Sequence, residues 1–179
     1  MSRLFPFLFL LLSGGLFSQL KFDTLSHRRL QTTTTPAILV GYHYAGDAKD
    51  NNETFRASQM HIIEVVFAKI TEFGGNHGAA RILYAGSDFI INNRHGFFMA
   101  PKVGVSSSAG IALGAEVQFQ TNFEKVIPRV MPYLGFGGGG GKLTVGYNFR
   151  LLKVENFPIN TLQVGMTWPI KRFKEKKIT

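Results

Sequence analysis

Strict alternation of apolar with small or polar side chains over residues 110–120 and 141–151 constrains the fold more than any other feature of the sequence. In the first stretch the apolar set is Ile111, Leu113, Ala115, Val117 and Phe119, and in the second it is Leu143, Val145, Tyr147, Phe149 and Leu151. A period of two places successive side chains on opposite faces of a β-strand. We therefore predict strands with one apolar face and one small or polar face.

Runs with strand character, separated by turn residues, follow one another through most of the chain. They cover residues 37–45, 58–71, 79–92, 96–105, 110–120, 130–137, 142–153 and 161–170. An even number of strands of about ten residues each is typical of membrane barrels. The predicted fold is all-β, an eight-stranded antiparallel up-and-down transmembrane β-barrel.

The low charge of the chain indicates which face points outward. Only 17% of its 179 residues are charged, whereas a soluble barrel needs a charged exterior. A barrel in lipid needs charges only in its loops and lumen. Aromatic side chains fall near the predicted strand ends, with Tyr42, Phe97 and Phe119 near one rim and Phe136 and Trp168 near the other, as in two aromatic girdles. The apolar face is thus predicted to face lipid.

The amino terminus resembles a secretory signal peptide. Arg3 precedes the apolar run at residues 4–12, and Ser13-Gly14-Gly15 then leads to Leu16-Phe17-Ser18-Gln19. We predict a cleaved signal peptide at residues 1–18, a polar leader at 19–35, the barrel at 36–170 and a solvated basic tail at 171–179. The net charge of +9 is partly concentrated in that tail.

Charged residues on the polar face predict a network inside the barrel. Glu64 and Glu116 are expected to meet Lys102 and Arg150 in the lumen, and Asp88 joins them if the third strand keeps the parity of Tyr84. Because buried charges need partners, this mixed set predicts a structural plug of ion pairs and not a conducting or catalytic site.

Other candidate sites are weak. The chain has no cysteine, and the opposite parity of His43 and His61 argues against a metal pair. The five-glycine run lacks the Lys-Ser/Thr ending of a phosphate-binding loop, so a hairpin is predicted there. No serine lies at a suitable spacing from His43 or His95 for a lipid A deacylase, and the lysines concentrate in the tail instead of interleaving with aromatics. We expect no catalytic, cofactor-binding or metal-binding residues, no enzyme activity, no cofactor and no nucleic-acid partner.

Two features fit the strand assignment poorly. Pro101 and Pro132 fall inside predicted strands, where each removes a hydrogen-bond donor, so bulges or strand ends are expected there. The second strand is apolar on both faces.

The chain resembles small outer-membrane β-barrel proteins of bacteria, of a Bacteroidetes type. The resemblance lies in the leader ending Leu16-Phe17-Ser18-Gln19, in Pro101-Lys102-Val103-Gly104-Val105 and in Leu143-Thr144-Val145-Gly146-Tyr147-Asn148-Phe149. It implies a monomer in the bacterial outer membrane that contacts lipid, with a structural or surface-interaction role and outer loops that meet an unidentified partner. The alternative is a secreted or periplasmic soluble barrel that turns its apolar face inward to bind a hydrophobic ligand, as lipocalins do. A lipid A-modifying enzyme is a more remote alternative.

Overall fold

The fold is described from a computed structural model, which describes residues 32–46, 60–73, 79–92, 96–152, 161–173 and 176–178. All regular elements in these ranges are β-strands. In the same ranges there is no helix that is long and apolar enough to cross a bilayer. The strands are β1 (Thr32–Gly46), β2 (Met60–Phe73), β3 (Ala79–Asn92), β4 (Gly96–Thr121), β5 (Val126–Gly138), β6 (Gly141–Tyr147), β7 (Phe149–Arg150), β8 (Leu162–Arg172) and β9 (Lys176–Ile178).

The strands close into an eight-stranded antiparallel barrel, which confirms the predicted fold class. The strands β1 to β6 pair in chain order, β6 pairs with β8, and β8 pairs with β1 to complete the ring, while the short β7 and β9 pair with β5 and β1. A ring in which every pairing is antiparallel must contain an even number of strands, so β4 contributes two. Its first arm, residues 96–108, pairs with β3, and its second arm, residues 110–121, pairs with β5.

The chain reverses between these two arms at Gly110. Gly110 has a φ of 83°, in the left-handed region that glycine adopts without steric cost. The carbonyl oxygen of Val105 in the first arm would lie 2.5 Å from a Cβ atom on Gly114 in the second. The arms therefore run side by side as a hairpin, as predicted for residues 96–105 and 110–120.

Several boundaries differ from the predicted ones. β1 begins at Thr32, inside the predicted leader, and β8 extends to Arg172, inside the predicted basic tail. In that tail Lys176–Ile178 forms β9, which pairs with Thr32–Thr34 of β1. The predicted signal peptide, residues 1–18, lies outside the described residues.

Neither proline causes a bulge, but the ladder that β5 forms with β6 and β7 is broken beside Pro132, between the pairs Tyr133–Gly146 and Val130–Phe149. Pro101 lies opposite Ser87 and Pro132 opposite Ala115, in pairings that keep one register throughout. The expected bulges are therefore absent at these positions. A register shift occurs instead between β1 and β8, where Ile38 pairs with Lys171 and Leu39 with Pro169.

The alternation separates an outer face from a filled lumen. The outer face is covered by large apolar side chains that are roughly half exposed or more, including Ile63, Phe67, Leu83, Val103, Ile111, Leu113, Leu134, Leu143, Val145, Val164 and Met166. We call this surface the apolar belt. The belt runs about 26 Å along the strand between Ile111 and Phe119, or about 20 Å along the axis at a strand tilt of about 40°.

Aromatic rings border the belt at both ends of the barrel. The end where β1 leads to β2 is called the loop end, and the end where β5 turns into β6 is called the turn end. Rings at the loop end contact one another in the pairs Tyr44–His61, Phe89–Phe97, Phe97–Phe123 and Tyr147–Phe149. Towards the turn end, Phe136 and Trp168 are each 69% exposed on the outer face. The aromatics thus form two bands separated by aliphatic side chains.

The glycine-rich hairpin between β5 and β6 folds over the lumen at the turn end. Gly140 is buried, and a Cβ atom there would come within 2.7 Å of Cδ1 of Ile70. Arg172 of β8 donates one hydrogen bond to Glu72 of β2 at 3.1 Å and another to the carbonyl oxygen of Gly139. The turn is therefore tied to β2 and β8, and it covers this mouth of the barrel.

Candidate functional site: a charge cluster in the lumen

The centre of the lumen holds one lysine shared by three carboxylates. Nζ of Lys102 lies 2.8 Å from Oε1 of Glu64, 2.8 Å from Oδ1 of Asp88 and 3.4 Å from Oε2 of Glu116. All four side chains are buried. Moving each of these charged groups out of water costs roughly several kcal/mol. Ion pairing and hydrogen bonding must offset that cost.

Neutral and imidazole groups complete the hydrogen bonding of Glu64. Its Oε2 atom accepts a hydrogen bond from the hydroxyl of Thr167 at 2.5 Å and lies 3.1 Å from Nε2 of His43. His43 lies on β1 and Thr167 on the adjacent strand β8. The two are diagonal neighbours, because Thr167 pairs with Gly41, two residues before His43. The carboxylate of Glu64 therefore links three adjacent strands.

Glu116 has a similar set of donors on the other side of Lys102. The phenol of Tyr84 donates to its Oε2 atom at 2.8 Å, and the amide of Gln118 donates to Oε1. The Tyr84 hydroxyl also lies 3.1 Å from that of Tyr133. The network thus continues from the second arm of β4 to β3 and β5.

A second lysine, Lys142 of β6, extends the network over the tyrosines. Its Nζ atom donates to the Tyr133 hydroxyl at 2.9 Å and lies over the rings of Tyr84 and Tyr133, 4.5 and 4.3 Å from their centroids. Such cation–π contacts are strengthened when the cation is desolvated. With Lys142, the network includes residues from β1, β2, β3, both arms of β4, β5, β6 and β8, so every strand of the closed barrel contributes.

Apolar layers lie on both axial sides of this cluster. Towards the loop end Met60, Ile62, Ile90, Phe98 and Ile127 are packed together, and towards the turn end Leu39, Val66, Ile70 and Ile82 are packed together. Together with buried polar side chains, these clusters fill the described lumen, and the lysine and its three carboxylates are each no more than 3% exposed.

The structure brings together Glu64, Asp88, Lys102 and Glu116 but not Arg150. Arg150 is exposed, contrary to its predicted place in the lumen. The regular ladder of β6 ends at Tyr147, and Arg150 belongs to the two-residue strand β7 at the loop end, opposite Arg129 of β5. β7 keeps the register of β6 against β5, so Arg150 has the parity of a lumen residue, but it lies at the loop end, where its guanidinium is exposed.

Several members of the cluster were not included in the predicted network. Lys142 shares the parity of Thr144 and Gly146, and Tyr133 alternates with Leu134, so extending the two-residue period through both strands would have placed them in the lumen. His43 and Thr167 have the parity of the polar face in their strands, but their contacts with Glu64 were not predicted. Arg129, which is 2% exposed, was also missed because the predicted strand began at residue 130.

The structure places the two candidate metal-binding histidines on opposite faces, as their parity predicts. His43 is inside, whereas Nδ1 of His61 lies 2.6 Å from the Tyr42 hydroxyl on the outer face. In the described ranges no group of three or more His, Asp or Glu side chains is arranged to hold a metal ion. His27, His77 and His95 lie outside those ranges.

Comparisons with protein-family models, curated proteins and solved structures find no match to this chain.

Proposed function

We propose that the protein is an integral β-barrel of a bacterial outer membrane, with a structural or surface-interaction role and no catalytic activity. The observation that carries the proposal is the apolar belt. In β1 to β8, the charged side chains described on the outer face are Lys69, Arg81 and Lys171, all towards the turn end. A water-soluble monomer rarely exposes a large continuous apolar surface.

The dimensions and borders of the belt fit a bilayer. Its height of about 20 Å approaches the band of about 25 Å that outer-membrane barrels present to hydrocarbon, which aromatic residues border on both sides. The closed ring leaves no open sheet edge among its eight strands, as a hydrocarbon environment demands. The filled lumen supports a role in anchoring surface loops more than one in transport.

A pair of matched substitutions on β8 distinguishes a membrane barrel from a soluble barrel that binds a hydrophobic ligand. Met166 lies near the middle of the outward row of β8 and Leu162 lies at its loop end, and the two side chains are 62% and 47% exposed. In vesicles we expect Met166→Arg to lower the unfolding free energy by about 2–4 kcal/mol and Leu162→Arg by about 0–1 kcal/mol. If the barrel with this outer face is instead surrounded by water, both positions meet solvent, and neither change would be costly.

Fractionation and electrophoresis complement these measurements. The protein should co-purify with membranes, need detergent to remain monodisperse and show a heat-modifiable gel shift. Monodisperse protein in aqueous buffer without detergent, together with equal stability of the two arginine variants, would contradict the membrane proposal and favour the soluble alternative.

A further inference from the structure

Three basic side chains stand on the outer face at the turn end of the barrel. Lys69 on β2, Arg81 on β3 and Lys171 on β8 are all exposed, and we call this set the basic collar. Register places them on one surface. Lys171 lies opposite Ile38 and Lys69 opposite Pro36, both on the outward side of β1, while Arg81 lies opposite Thr71 of β2.

The collar is a compact strip. It crosses the adjacent strands β8, β1, β2 and β3, a width of about 14 Å at a strand spacing of about 4.8 Å. Lys69 and Arg81 are diagonal neighbours, since Arg81 is opposite the residue two positions beyond Lys69. β9 pairs with Thr32–Thr34 of β1 at the same end of the barrel.

No acidic group compensates the collar within the described part of the chain. The ion pairs formed there by lysine or arginine join Lys102 to the lumen carboxylates and Arg172 to Glu72. Diagonal like charges such as Lys69 and Arg81 repel each other. An external anion bound at the strip would relieve this repulsion.

The collar also lies at a definite height relative to the apolar belt. Lys69 follows the outward Phe67 by two residues, and Lys171 follows Trp168 and Ile170. Nζ of Lys171 lies 5.3 Å from the centroid of the Phe173 ring. Cations placed just beyond apolar and aromatic side chains are at the depth where phosphate groups of a bilayer begin.

We propose that the basic collar binds the phosphate groups of anionic lipids in the leaflet at the turn end of the barrel. This inference rests on the proposed membrane location. Because a basic residue near an anionic surface contributes about 1 kcal/mol, a lipid site beside one such residue should prefer an anionic to a zwitterionic headgroup by about fivefold.

The single tryptophan of the chain provides a direct test. Trp168 lies on the outer face of β8, and it precedes Lys171 along that strand, since their partners on β1 are Val40 and Ile38. The full protein is reconstituted into mixed vesicles of phosphatidylcholine and phosphatidylglycerol, with bromine on the acyl chains of one lipid or the other. Quenching of Trp168 fluorescence then reports which lipid lies beside the collar. We expect phosphatidylglycerol to be favoured about fivefold, and Lys171→Gln to abolish most of this preference.

Arg81→Gln, which changes the far end of the strip, should reduce the preference less than Lys171→Gln. Lys125→Gln, in the exposed turn between β4 and β5 at the loop end, is the control and should leave the preference unchanged. Equal quenching by both brominated lipids in the unaltered protein would overturn the collar proposal while supporting the membrane location. Absence of quenching by either lipid would overturn the membrane proposal itself.

Discussion

Tyr84 lies directly opposite Gly104 across the β3–β4 pairing, and its ring covers the glycine on the lumen side, within 2.4 Å of where a Cβ atom would be. Tyr133 covers Gly114 in the same way across the β4–β5 pairing. An aromatic ring lying over a cross-strand glycine fills the space of the missing side chain. Here the Tyr84 phenol also donates to the carboxylate of Glu116, and the Tyr133 hydroxyl lies 3.1 Å from that of Tyr84.

Gly104→Ala should therefore destabilise the barrel by about 1–3 kcal/mol, because the added methyl group displaces the Tyr84 ring from its hydrogen bonds. Gly138→Ala is the matched control, since nothing lies within 4 Å of a Cβ atom at Gly138 and its φ is not positive. Chemical unfolding of both variants in the same lipid measures the difference. Equal unfolding free energies would show that Tyr84 does not restrict this position.

Lys102→Met should lower the unfolding free energy by about 3–5 kcal/mol, because three buried carboxylates lose their shared cation. Lys125→Met, at an exposed position outside the cluster, should change it by no more than about 0.5 kcal/mol. In a background already carrying Glu64→Gln and Asp88→Asn, the cost of Lys102→Met should shrink, since fewer buried charges are left unpaired. A cost that stays the same in both backgrounds would argue against the ion pairs.

Arg150→Gln should leave stability unchanged or raise it by up to about 1 kcal/mol, because Arg150 stands opposite Arg129 and like charges directly across a pairing repel. Any gain should shrink in high salt, which screens the exposed guanidinium. Unfolding curves at low and high ionic strength provide the measurement. A loss of several kcal/mol would instead indicate the Arg150–Glu116 pair predicted from the sequence.

Arg172→Ala should loosen the glycine-rich turn with little effect on the whole barrel. The Arg172–Glu72 pair is about one-third exposed, so we expect a change in global stability of no more than about 1 kcal/mol. Backbone amides in residues 138–141 should exchange their hydrogens faster than in the unaltered protein, because the turn loses its tie to β8. Lys171→Ala, at the adjacent outward position, should not alter this exchange. Unchanged exchange in Arg172→Ala would show that the turn is held by its packing on Ile70 alone.

The lumen shows which structural features the alternation of side chains predicts and which it does not. The alternation within each strand determines which side chains point into the lumen, and this is a local property. It places four charged residues inside, namely Glu64, Asp88, Lys102 and Glu116. Their convergence on one ammonium group depends on the register between strands, which sets the height of each residue along the barrel. The alternation within one strand carries no information about this height, so the contacts of His43, Thr167 and Lys142 could not be predicted from it.

At the strand ends, alternation alone predicted the position of a residue wrongly or left a buried residue out. Arg150 has the parity of a lumen residue, but β6 stops at Tyr147, and Arg129 falls just before the predicted start of its strand. At these ends backbone pairing competes with solvation, and that balance depends on neighbouring strands instead of on the residue's own alternation.

The sequence by itself determined the all-β class, the even number of strands and the face on which each residue of the alternating runs lies, because side chains of a strand alternate by local geometry. Only the tertiary structure decided which buried charges meet, that Arg150 stays at the rim, that the glycine turn covers one mouth and that Lys69, Arg81 and Lys171 form one strip. These features depend on register and closure, which are set by pairing between residues far apart in the chain.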